Sequence, residues 1–131
     1  MNLLLDSHTL LWLMEANPSL SPTAASLIAD PAHRLHLSLA SVWEIAIKVG
    51  LGKLGLSVPL ATFLATAVQG YGLTLVPISV DDCIGYEALP FPHPNHRDPF
   101  DRMIITHAQR FQLSVVSNDA AFDPYGVTRL W

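Results

Sequence analysis

Apolar runs of two lengths alternate along this chain from one end to the other. The run "NLLLD" at 2–6 is continuous and too short for a helix, which predicts a buried strand. Behind it Leu10, Leu11, Leu13 and Met14 recur at helical spacing. Ser21 and Pro22 make a good N-cap and first-turn pair for a second helix to about Asp30, which Pro31 ends. "LHLSL" at 35–39 predicts the second strand. "SVWEIAIKVGLG" from Ser41 predicts a helix apolar nearly all round, hence buried, with Gly50 and Gly52 near its C-terminal end. A helix over Leu60 to about Gln69, a strand "LTLVPI" at 73–78 and a short helix capped by Ser79 follow. Residues 90–97, "PFPHPNHR", read as a loop. A helix from Asp98 or Pro99 to Phe111, a strand "LSVVS" at 113–117, a turn "NDAAFDPYG" and a last short strand at 127–131 complete the chain. No repeat, low-complexity tract or linker interrupts it. The alternation predicts an α/β fold over 1–131 as one domain, its parallel sheet covered on both faces and its sites at the carboxyl ends of strands.

Composition narrows this picture. A chain of 131 residues can bury about two-thirds of its unfolded surface, enough for a real core. Half the residues are apolar and only 14% are charged, against roughly 25% in an ordinary soluble domain, so apolar surface is expected to be kept for a partner. The longest apolar stretches fall far short of the ~20 residues that cross a bilayer, and the N-terminus has no basic segment or cleavage site. A cytoplasmic protein without membrane contact is expected. Cys83 is the single cysteine, in no metal-binding spacing, and is expected to be a buried, inert thiol. The net charge of −4 argues against a broad basic face for nucleic acid. It leaves room for a site where acids converge on a cation, since bound metal reverses the local sign.

Acids at four places stand where such a site could form. Asp6 closes the first strand, although an Asp there also caps the helix that follows. Glu44 lies among Val42, Trp43, Ile45 and Ile47, an apolar setting in which a carboxylate needs partners or a cation. Its bland alternatives are a Ser41-x-x-Glu44 capping box and an i, i+4 pair with Lys48. Asp98 and Asp101 in "DPFDRM" fall on one face of a first helical turn; Asp98 with Pro99 suits the cap, leaving Asp101 the inward role. Asp119 follows a late strand, where it could also be a plain turn residue. Singly none supports a function, but all four sit at strand ends and helix starts on one side of the predicted sheet. Such carboxylates cannot all stay ionised without positive charge, and oxygen-only donors select Mg²⁺ or Mn²⁺. That cation suits phosphodiester hydrolysis. Ser117 can add a hydroxyl, and Lys48, Lys53, His96 and Arg97 can meet substrate phosphate at the rim.

The blocks "LLLDSHTLLWL" at 3–13, "SLASVWEIAIKVGLGKL" at 38–54, "HRDPFDRMIITHAQ" at 96–109 and "LSVVSNDAAFDPYGV" at 113–127 together resemble the PIN-domain ribonucleases. Within them the likeness is to the VapC-like toxins of bacterial and archaeal toxin–antitoxin pairs. The resemblance implies a three-layer α/β/α sandwich with a central, mainly parallel sheet. It implies catalytic, metal-holding acids at Asp6, Glu44, Asp101 and Asp119, with Asp98 and Ser117 accessory. It further implies an endoribonuclease that is a homodimer and is held inactive by a cognate antitoxin protein. Thr106 and His107 stand where this branch more often has small residues, and no role is assigned to them.

Other readings compete. His93, His96 and Asp98, or His8 beside Asp6, could make a zinc-type site, but neither set supplies a full tetrahedral shell. A catalytically silent PIN module that binds RNA or protein is a second function; the intact acids weigh against it. Receiver and haloacid-dehalogenase domains also place an Asp after a first strand, yet Asp6 has no acid beside it and the position two residues on is His8. Two-carboxylate glycosidase chemistry ranks last, because aromatics make up only 8% of the chain.

Overall fold

The computed structural model describes residues 1–131. Strands β1 (Asn2–Leu5), β2 (Arg34–Ser38), β3 (Thr74–Val76), β4 (Ser114–Val116) and β5 (Arg129–Leu130) form one sheet in the order β3-β2-β1-β4-β5, with every neighbouring pair parallel. The helices are α1 (Ser7–Met14), α2 (Pro22–Ala29), α3 (Leu39–Gly50), α4 (Leu60–Tyr71), α5 (Val80–Ala88) and α6 (Pro99–Phe111), followed by a 3₁₀ helix, Ala120–Tyr125. The expected α/β class with a parallel sheet is the one the chain adopts. No helix is long and apolar enough to cross a membrane.

The pleat of β1 explains the layering. Alternate side chains of a strand leave opposite faces, so Leu3 and Leu5 join Leu10 of α1, Ile28 of α2, Ile45 of α3 and Phe63 of α4 in one core. Leu4 joins Ile104, Ile105 and Ala108 of α6 and Phe122 in the other. A strand buried on both faces must be apolar throughout, hence the unbroken leucine run. From β1 the chain moves outward to β2 and β3, then returns through α5 and α6 to β4 on the other side of β1. The strand order therefore reverses between β1 and β4, where the carboxyl ends open a crevice.

Local signals set several helix starts. The Ser21 hydroxyl accepts from the Ala24 amide at 3.0 Å, and the Asp98 carboxylate accepts from the amides of Phe100 and Asp101 at 2.9 Å each. Ser79 and Asp82 form a reciprocal capping box on α5. Helix α3 departs from expectation. It starts at Leu39, capped by Ser38, whose hydroxyl accepts from the Ala40 amide at 3.0 Å. The Ser41-x-x-Glu44 box does not form, because Ser41 already lies inside the helix with its hydroxyl buried and unpartnered. Nor is α3 buried all round: it packs on one side, leaving Trp43 60% exposed. The Cys83 thiol is exposed rather than buried, since it shares a helix face with exposed Val80 and Ile84. The turn expected after β4 contains the 3₁₀ helix, and β5 is only two residues long.

A second polar cluster lies between α5, α6 and the start of α3. Asp82 accepts from the Arg110 guanidinium and, at 3.1 Å, from His107 Nε2. His107 is fully buried and its Nδ1 meets the Ser38 hydroxyl at 3.0 Å. Burial holds the His107 pKa below its usual value, against the hydrogen bond and charge of Asp82, so Arg110 is the cation that matches Asp82 at neutral pH.

Candidate active site

The crevice is a cleft of about 500 Å³ lined by Asp6, Glu44, Asp98, Asp101 and Asp119, with Lys48, Ser7 and His8 among the other walls. Each acid arrives by a separate structural route. Asp6 follows β1 and caps α1; its Oδ1 accepts from the Thr9 amide at 2.8 Å and its Oδ2 from the Ser117 hydroxyl. That hydroxyl also accepts from the Asp119 amide at 3.0 Å, so Ser117 links the acids after β1 and β4. Glu44 is brought in by α3, one oxygen accepting from the Ser7 hydroxyl at 2.6 Å and the other from Lys48 Nζ at 2.7 Å. Asp119 caps the 3₁₀ helix through the Ala121 amide at 2.9 Å. Asp101 sits in the first turn of α6, its Oδ2 accepting from His96 Nε2 at 3.1 Å.

Charge in this cleft is unbalanced, with five carboxylates facing a single lysine ammonium. The strain registers at Asp101, whose side chain is 24% exposed. Burial pushes its pKa up to about 6; the charges of Asp98 and Asp119 add to the rise, while His96 opposes it. Oδ1 of Asp101 and Oδ2 of Asp119 make no hydrogen bond within the protein. Oxygen-only donors with surplus negative charge and open lone pairs fit a hard divalent cation. No three His, Cys, Asp or Glu side chains converge into a ready-made cage, however; the acids line a shared cleft instead.

The remaining sequence candidates fall in different places. Lys48 is in the cleft, whereas Lys53 and Arg97 are not among its walls. Arg97 instead donates to the Pro94 carbonyl at 3.0 Å and lies over the Phe91 ring. His96 is bonded at both ring nitrogens, to Tyr125 and Asp101, and His93 takes the Asn95 amide at 3.3 Å. Asp98 is a helix cap that also lines the cleft. Sequence reasoning missed three contributors: Ser7, which orients Glu44, and Tyr125 and Arg102, which stand behind His96. The only signal for Ser7 was its place beside Asp6; Tyr125 and Arg102 act through contacts distant in the chain.

The model of the family described as PIN domain matches residues 3–127. The chain belongs to the PIN-domain family. Solved structures of similar fold share little sequence with it. VapBC2 from Rickettsia felis, bound to a DNA fragment from their promoter, is 14% identical with a TM-score of 0.72, over 99% of this chain and 98% of that one. VapBC-1 from nontypeable Haemophilus influenzae is 18% identical with a TM-score of 0.67, over 99% and 97%. A toxin-antitoxin complex from Klebsiella pneumoniae is 15% identical with a TM-score of 0.57, over 98% and 95%. No curated protein matches the chain in sequence.

Proposed function

We propose that this PIN-domain protein is a divalent-cation-dependent endoribonuclease, the VapC-like toxin of a toxin–antitoxin pair. The observation that carries this reading is the gathering of acids from four distant segments into one cleft with a single ammonium to offset them. Asp6, Glu44, Asp101 and Asp119 would hold Mg²⁺ or Mn²⁺, with Ser117 and Asp98 supporting them. A bound cation of this kind offsets phosphoryl charge and makes water a competent nucleophile near neutral pH. The chain's own residues prepare the site. Thr9 and Ser117 fix the Asp6 carboxylate, Ser7 and Lys48 fix Glu44, and Asp101 and Asp119 keep oxygens free of protein partners. Lys48, 41% exposed at the cleft, would meet an RNA phosphate; Lys53 and Arg97 would act only on more distant phosphates, outside the cleft walls.

The partners follow from the same reading: RNA as substrate, a cognate antitoxin, a second copy in a homodimer, and the cytoplasm as the place of action. A catalytically silent PIN module is the second reading, favoured by the failure of any three acids to converge. Purified protein incubated with RNA and Mg²⁺ or Mn²⁺ separates the two. The nuclease cuts RNA with either ion and stops in EDTA. Equal cutting in EDTA, or none in any buffer from folded protein, contradicts the proposal.

A further inference from the structure

Asp101 is held from behind by a chain of polar groups that begins at a buried cation. Arg102 is 2% exposed and forms no ion pair. Its guanidinium lies 3.8 Å from the centroid of the Phe91 ring and near Tyr86 and Tyr125, donating to the carbonyls of Leu89 at 3.1 Å and Pro90 at 2.9 Å. Nε has no partner at all. Nη1 also donates to the Tyr125 hydroxyl oxygen at 3.3 Å. That hydroxyl has one other partner, His96 Nδ1 at 2.9 Å, and His96 Nε2 reaches Asp101 at 3.1 Å.

The direction of each bond follows from what each group can give. A guanidinium only donates, so the Tyr125 oxygen accepts from Arg102, which leaves its hydroxyl proton to point at its one other partner, His96. His96 Nδ1 is then an acceptor, and the ring proton resides on Nε2, where it donates to the carboxylate. We infer that His96 is the positioning residue of Asp101, set by Arg102 and Tyr125 as the Nε2–H tautomer. The same relay fixes the spacing of two acids. Tyr125 ends the 3₁₀ helix that Asp119 caps, and His96 precedes the helix that carries Asp101, so the Tyr125–His96 bond ties the two segments together. The inference rests on Asp101 as a cation ligand, and assigns His96 the role that outer groups play for metal-bound carboxylates. Loss of such a group typically lowers metal affinity about 10–100-fold.

The test has two arms on the full chain. In the metal-free protein, ¹⁵N chemical shifts of His96 report the tautomer: Nδ1 unprotonated and Nε2 protonated is expected, and the opposite tautomer overturns the relay. This arm needs no variant and does not depend on the nuclease reading. Calorimetric titration with Mn²⁺ supplies the second arm. His96→Ala is expected to bind roughly ten-fold more weakly, and His96→Gln, whose amide nitrogen reaches the place of Nε2, to recover most of the loss. Tyr125→Phe should fall between them. Undiminished Mn²⁺ affinity in His96→Ala, or no recovery in a folded His96→Gln, contradicts the inference. Asp101→Asn in the same series tells the failures apart. If it binds Mn²⁺ like wild type, the ligand reading of Asp101 fails and the inference with it; if it binds weakly while His96→Ala does not, only the relay fails.

Discussion

Two polar regions of this protein hold buried or half-buried acids and treat them in opposite ways. Around Asp82 every charge is answered. Burial works to raise the Asp82 pKa, but the Ser79 amide, the Arg110 guanidinium, the Ser79 hydroxyl and His107 outweigh it and hold the carboxyl below its usual range. In the cleft the balance runs the other way: burial and neighbouring carboxylates raise Asp101 to about 6, and Lys48 is the only amino or guanidino cation among the walls. An acid that serves the fold collects its partners from the fold. An acid left short of positive charge in an open cleft is poised for a ligand from outside, which is why perturbed carboxylates mark functional sites.

The contrast is most sharply broken at Asp82. Asp82→Ala takes the capping-box carboxylate from the Ser79 amide and leaves the fully buried His107 ring N–H without its acceptor, and should cost about 2–3 kcal/mol of stability in chemical denaturation, with or without divalent cations. A loss under ~0.5 kcal/mol would remove the structural role assigned to that cluster.

Asp101→Asn should act in the opposite sense. The Asp101 carboxyl binds its proton more tightly in the folded chain than at the ordinary value of 3.8, so the folded state carries more protons between there and about 6. Stability from this group therefore falls as pH rises through that window and stays low above it. The metal-free variant should be more stable than wild type at pH 7 by roughly 1–2 kcal/mol after solvent screening, and the gain should vanish near pH 3. Denaturant midpoints across pH measure it. A variant less stable than wild type at pH 7 would place Asp101 with the structural acids.

Asp98 belongs to both regions in kind, being a helix cap that also lines the cleft. Ser caps about as well as Asp, so Asp98→Ser should keep stability within ~0.5 kcal/mol. Since Asp98 is an accessory acid in this account, RNA cleavage should drop by only a fewfold. A complete loss of cleavage with stability intact would promote Asp98 to a ligand.

The sequence carried the frame of this account where the signals are local. The leucine run of β1, the Ser21–Pro22 and Asp98–Pro99 starts and the Ser79 cap each depend on neighbours a few residues away, and each appears in the structure. Helix α3 starts before the expected Ser41, because the chain caps it with Ser38, the residue that directly ends β2. The acids themselves were legible from strand ends and helix starts. What holds them was not: Ser7 on Glu44 spans 37 positions, Ser117 on Asp6 spans 111, and His107 meets Ser38 across 69. A fully buried His107 or a 2%-exposed Arg102 reads in one dimension as a polar position of a surface helix, because the groups that bury it come from elsewhere in the chain.

The central claim is that the cleft acids wait for a divalent cation, and thermal unfolding with and without Mn²⁺ tests it most directly. Binding to the folded state alone raises stability by RT ln(1 + [L]/Kd), about 2.7 kcal/mol at a hundred-fold excess over Kd. Wild type should melt roughly 5 °C or more higher in Mn²⁺ than in EDTA, and Asp101→Asn should gain less than half of that. Equal shifts in the two proteins, or no shift in wild type at millimolar Mn²⁺, would contradict the account.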